Sequence, residues 1–240
     1  MKILGIGHSH LFSLFSGYKV GNFPSLEFDF IHLLHPEFRL ENGFDNIDAI
    51  LDMIEKKCFN VDIVVLSISG NEHHMLGLVE SERPFDFLLP EQEGSKIVAG
   101  RELIPYDLVY KTLDLQMNTA LYESFAGLFK CPVYQIEAPP PILDEAYIRD
   151  HAGIFSEMIE ERGVNTASVR HKLWRVGSDI ARRRAIQAGF VYVENPPATL
   201  GPEGFLHFMA FNNDATHGNA WYGAHVINNL LALINEVDRG

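Results

Sequence analysis

Asp62-Ile63-Val64-Val65-Leu66-Ser67-Ile68, followed at once by Ser69-Gly70-Asn71-Glu72-His73-His74, is the stretch on which the fold turns. Aliphatic and β-branched residues run through it without polar alternation, as a strand buried on both faces requires. That places it centrally in a parallel sheet. Working outward, four further short apolar runs stand at Lys2 to Ile6, Phe28 to Leu34, Pro132 to Ile136 and Phe190 to Val193. Between them lie helical patterns. Ile47, Ile50, Leu51 and Ile54 predict a helix over 45–57, with Asp45 placed to cap its first turn. Helix-compatible stretches follow at 106–129, 144–161 and 166–188, and a last helix over 219–237 puts Tyr222, Val226, Leu230, Leu233 and Ile234 on one side. Strands alternating with helices give an α/β fold with a parallel sheet covered on both faces. The regions 72–100, with Pro84, Pro90 and the acidic Glu91-Gln92-Glu93, and 138–141 lack periodicity, and both are expected to be loops after a strand's carboxyl end. In an open α/β sheet that edge binds ligands. One domain over 1–240 accounts for the pattern, with its surplus length mainly between 72 and 188.

Composition narrows the partners. The chain has 240 residues, 19 basic against 32 acidic side chains, and a net charge of −13. An acidic surface opposes attraction to nucleic acid and to anionic membranes, and no apolar run reaches the roughly 20 residues a membrane helix needs. Met1 to Gly7 reads as a strand starting at once, so a cytoplasmic protein is expected. Cys58 and Cys131 form no disulfide framework or metal cage and are expected to be thiols, close together because they precede neighbouring strands.

The residues that carry chemistry gather where the apolar runs end. The first run closes on Gly5-Ile6-Gly7-His8-Ser9-His10. A dinucleotide fingerprint would need a small residue at His10, and a nucleophile elbow would need glycine at Leu11. A third reading is a serine at a strand tip, leading into a helix whose free N–H groups stabilise an anion. Asn71, directly after the central run, either holds a turn or donates its amide to an oxyanion. Asp214-Ala215-Thr216-His217 stands just before the last helix. An acid and an imidazole three residues apart can work as base and orienting group for a serine.

Together these blocks resemble the SGNH (GDSL-type) hydrolases. The resemblance covers Met1 to about Glu72 and about Gly189 onward. It implies a flavodoxin-like three-layer α/β/α fold with a five-stranded parallel sheet of order 2-1-3-4-5. It also implies that Ser9 is the nucleophile, that Asp214 and His217 complete the triad, and that the oxyanion hole uses the N–H groups of Ser9 and Gly43 with the Asn71 amide. The family's aspartate before the serine is His8 here, and its Gly-x-Asn-Asp block is Ser69-Gly70-Asn71-Glu72. The implied activity is hydrolysis of a small-molecule ester, an O-acetylated sugar among the candidates, without a cofactor or metal.

Two other classes stay open: a catalytically degenerate binding protein on the same fold, and a metal-dependent hydrolase using His8, His10, His73, His74, Asp214 and His217, all at strand ends or in the loop before the last helix. His8, His10, His73 and Trp221 are candidate walls of a substrate pocket, although Trp221 and Tyr222 cannot face the same way. Arg170, Lys172, Arg175, Arg182, Arg183 and Arg184 make the 166–188 helix basic and are expected to form a solvated face.

Overall fold

The central run forms strand β3, Ile63–Ser67, buried along its whole length. Its side chains alternate between two cores. Val64, Leu66 and the following Ile68 enter one, and Ile63 and Val65 enter the other. In the computed structural model, which describes residues 1–90 and 97–237, four more strands complete the sheet: β1 (Lys2–Gly7), β2 (Glu27–His32), β6 (Val133–Ile136) and β7 (Val191–Val193). All pair in parallel in the order β2-β1-β3-β6-β7, which is the expected 2-1-3-4-5 counted over the sheet's own strands. Gly7 of β1 is opposite Ser67 of β3, so the two strands end level.

Helices α1 (Leu11–Val20), α6 (Glu145–Asp150), α7 (Ser156–Arg162) and α9 (Ala220–Val237) supply residues to the core on one face. Helices α2 (Ile47–Lys57), α4 (Tyr106–Gln116), α5 (Thr119–Phe125) and α8 (Ala167–Gln187) supply the other. Short helix α3 (Glu72–Gly77) packs on α8, so the start of the 72–100 region is helical rather than a loop. Two short strands, β4 (Phe85–Asp86) and β5 (Glu102–Leu103), pair further along that region, which shows no strand periodicity in sequence. The Glu91-Gln92-Glu93 segment lies outside the described residues.

Two expected helices are divided. The 106–129 stretch breaks at the extended Met117, and Asn118 then caps α5 by accepting the Leu121 N–H at 3.4 Å. The 144–161 stretch breaks before Gly153, whose φ of +56° suits a residue without Cβ. Helix α2 is capped by Asn46, which accepts the Ala49 N–H, and not by Asp45. Asp45 turns inward instead, 2.6 Å from Arg39 and bonded by the Asn118 amide.

The face expected to be solvated on α8 is partly core. Arg170 is 2% exposed and Lys172 5%. The Arg170 guanidinium donates to the carbonyls of Asn165, Ile142 (2.8 Å) and Leu143 (3.1 Å), and burial lowers its pKa to about 10. Lys172 pairs with the fully buried Asp86 at 2.8 Å and donates to the Phe87 carbonyl. A buried charge is tolerated only when paired and hydrogen-bonded, and the sequence around α8 does not reveal these distant partners. Cys58 and Cys131 are free and partly buried.

Candidate active site

Strand β1 hands the chain directly to Ser9. The His8 N–H still bonds Ser67 of β3 at 3.0 Å, and the carbonyls of His8, Ser9 and His10 then accept the N–H groups of Leu11, Phe12 and Ser13 to start α1. Ser9 therefore stands at a strand tip on a helix entrance. Its own N–H has no acceptor among the described residues, as expected at a helix start.

The other half of the site arrives from the far end of the chain. Helices α1 and α9 touch backbone to backbone: a Cβ on Gly223 would lie 1.7 Å from the Ser13 carbonyl oxygen, and one on Gly17 2.3 Å from the Ala224 nitrogen. Only glycine permits that approach. The Ser13 hydroxyl also donates to the Gly218 carbonyl at 2.5 Å, so the loop before α9 is tied to the helix that begins beside Ser9.

That loop is organised around one carboxylate. Asp214 Oδ1 accepts the backbone N–H groups of Thr216 (2.9 Å) and His217 (2.8 Å) and lies 3.0 Å from His217 Nδ1. The Asn212 amide holds Oδ2 at 2.7 Å. Burial would raise the Asp214 carboxyl, but the His217 ring and these N–H donors outweigh it and hold the group well below the usual carboxylate range. An ionised Asp214 fixes the His217 tautomer with hydrogen on Nδ1, leaving Nε2 as the basic nitrogen.

Ser9, Asp214 and His217 line one cavity of about 240 Å³, together with Phe12, Ser16 and Asn212. Ser9 Oγ and His217 Nε2 are not hydrogen-bonded to each other, and Nε2 is buried without a partner among the described residues. Sequence reasoning missed Phe12 and Asn212. Asn212 stands two residues before Asp214, and that spacing is the local signal that could have found it.

Asn71 begins α3 without using its side chain as a cap, so its amide is not consumed by its own helix. Glu72 bends back to accept the Gly70 N–H at 2.8 Å, pinning the turn after β3. Burial pushes the Glu72 carboxyl up, against the N–H groups of Glu72 and Gly70 and the neighbouring His8. Gly43 is arranged differently from the role implied by the family resemblance. It is exposed, closes a tight turn at φ +83°, and its N–H donates to the Leu40 carbonyl at 2.9 Å. In this arrangement that N–H is not free for an oxyanion, because Asn42-Gly43 turn chemistry uses it first.

The histidines separate into two groups. His8 faces Asp45, with Nε2 3.8 Å from Oδ1, so a carboxylate from the loop before α2 stands beside Ser9's neighbour. His10, His73 and His74 are each 4% exposed. The His10 ring packs on His217 at 4.7 Å between centroids and on His74 at 6.4 Å, while the tilted rings of His73 and His74 meet at 3.9 Å. Burial, reinforced by neighbouring imidazoles, lowers the pKa of all three, that of His73 to about 3. They form an uncharged wall behind the site and do not line the Ser9 cavity. Among the described residues no three His, Cys, Asp or Glu side chains converge in a metal-holding arrangement. Trp221 stacks with His207 (5.7 Å), meets His225 at a tilt (4.2 Å) and is not part of the Ser9 cavity lining, whereas Tyr222 is buried and donates to Asn195 at 2.5 Å. A larger cavity of about 490 Å³ lies against α4 and α8, with Trp174 and Arg175 in its wall, and is lined by none of Ser9, Asp214 and His217.

No protein-family model and no curated protein sequence matches the chain. Solved structures do match in shape. Est24, a carbohydrate acetylesterase from Sinorhizobium meliloti, superposes with a TM-score of 0.51 at 10% identity, covering 98% of this chain and 99% of that one. A carbohydrate acetylesterase family member from the same organism gives 0.50 at 9% identity over 98% and 97%. A protein from Agrobacterium tumefaciens, provisionally an arylesterase, gives 0.50 at 11% identity over 98% of each chain. The fold is that of the SGNH hydrolases.

Proposed function

We propose that the chain is a serine esterase for small acyl esters, with Ser9 as nucleophile and the Asp214–His217 pair as its base. The observation that carries this reading is the shared cavity: a strand-tip serine and an imidazole already oriented by an ionised carboxylate face the same small space. In acylation His217 Nε2 takes the Ser9 proton as Oγ bonds to the ester carbonyl carbon. The imidazolium then returns that proton to the departing alkoxide as the ester C–O bond breaks. Water, deprotonated by the same nitrogen, cleaves the acyl-enzyme and regenerates Ser9.

The oxyanion is met by the free Ser9 N–H and by the Asn71 amide. Catalytic hydrogen bonds in unliganded sites are commonly long and tighten with substrate, so the absence of a Ser9–His217 bond is compatible with this chemistry. An acetyl group on a sugar is the substrate class favoured here, because the cavity is small and two neighbours of the same fold are carbohydrate acetylesterases.

A second reading, a non-catalytic binder on the same fold, draws support from the engaged Gly43 N–H, which removes one expected oxyanion donor. An alkyl fluorophosphonate separates the two. A covalent adduct on Ser9, together with ester hydrolysis that disappears in Ser9→Ala, supports the esterase. No adduct, or hydrolysis by Ser9→Ala at the parent rate, overturns it.

A further inference from the structure

We propose that Phe12 sets the length of acyl chain that the Ser9 site accepts, an inference that rests on the esterase reading above. Phe12 lies on the first turn of α1, and its N–H donates to the Ser9 carbonyl at 3.1 Å, so its ring is held at a fixed offset from the nucleophile. Phe12 is 44% exposed and forms part of the cavity wall. On one side it lines the Ser9 cavity. On the other it packs on His32 at 4.4 Å between centroids and meets Phe30 edge-on at 6.1 Å.

Phe30 and His32 line a second cavity, also of about 240 Å³, with Phe38 and Met53 in its wall. Lys57, also in that wall, is held by Asp29 at 2.8 Å. Burial lowers the His32 pKa, with His8 and His35 adding to it, and Glu37 and Lys57 stand in the same wall beside the apolar residues. Phe12 thus lines the hollow that contains Ser9 and packs against two residues of the wall of a second hollow of equal size. Each alone is smaller than the roughly 300–1,000 Å³ usual for ligand pockets, whereas the two joined fall within that range. With Phe12 in place, an acyl chain on Ser9 has room for a few carbons before it meets the ring. With the ring removed, the chain continues into the second hollow.

The test uses the full chain and a series of p-nitrophenyl esters from acetate to octanoate. The parent is expected to prefer the shortest ester. Phe12→Ala is expected to raise the hexanoate-to-acetate ratio of kcat/KM at least about tenfold, the scale on which one methylene in an apolar pocket discriminates. Phe12→Trp is expected to lower that ratio. Phe12→Leu, which keeps an apolar side chain, replaces Phe12→Ala if the latter does not fold. The inference is overturned if a fluorophosphonate still labels Ser9 while the chain-length profile of the folded variant matches the parent's. If the reagent fails to label Ser9 in the parent itself, the esterase reading has failed first, so the two failures are distinct.

Discussion

His217 Nδ1 lies 3.0 Å from Asp214 Oδ1, and that same oxygen accepts two backbone N–H groups from the turn between them. One carboxylate therefore builds the loop and orients the His217 ring. Asp214→Asn keeps an oxygen for the backbone donors but gives His217 an acceptor-poor partner. We expect the variant to fold, with kcat reduced by roughly 10³–10⁴ through the wrong imidazole tautomer. Steady-state kinetics, with circular dichroism as the folding control, check this.

Asn71 is expected to act only once charge develops on the carbonyl oxygen. Asn71→Ala should lower kcat by roughly 10²–10³ with little change in KM, as for loss of one oxyanion donor. A loss confined to KM would assign Asn71 to substrate binding instead.

Acid should unfold the protein early. His10, His73 and His74 are buried as neutral rings with lowered pKa values, whereas an unfolded histidine titrates near 6.5. Below that pH the unfolded chain binds protons that the folded chain refuses, so stability falls on acidification by roughly 1.4 kcal/mol per pH unit for each fully refused proton. For His73 this continues down to its folded pKa of about 3. Asp214 adds to the loss at lower pH: its depressed carboxyl contributes stability that is present above the unfolded aspartate value of about 3.9 and disappears as pH falls toward its folded value. Urea melts between pH 7 and 5 should show the histidine slope, and His73→Gln should flatten it.

Lys172 and Asp86 should behave as a buried pair. Lys172→Met leaves the 0%-exposed Asp86 carboxylate without its cation and is expected to destabilise by about 3–5 kcal/mol. Adding Asp86→Asn should restore part of that loss. Denaturant midpoints of the two single variants and the double variant measure the coupling.

Contact between α1 and α9 positions the loop that carries Asp214 and His217. Gly223→Ala would place a methyl group against the Ser13 backbone, so we expect a loss of at least about 1–3 kcal/mol from overpacking. Slower phosphonate labelling of Ser9 should accompany it, because the Asp214–His217 loop moves with α9.

Much of this was legible in the chain. The central strand β3 is buried on both faces, so Ile63 to Ile68 reports its environment without reference to any distant segment, and the five runs became the five strands of the sheet. Amphipathic spacing likewise located α2, α8 and α9 to within a few residues. Helix interruptions at Met117 and Gly153 were not legible, because they depend on backbone conformations that hydrophobic period does not encode.

What the sequence determined by itself was the sheet, its covering helices and the small set of polar residues at the carboxyl edge. What only the tertiary structure decided was how those polar residues are partnered: His217 beside Ser9 through two facing glycines, Asp45 turned to His8 and Arg39, Arg170 and Lys172 drawn into the core, and the Gly43 N–H taken by its own turn. The reason is range. Apolar burial is written residue by residue in local periodicity, whereas a polar group's state depends on the donor or acceptor that meets it, and here most of those partners come from distant parts of the chain.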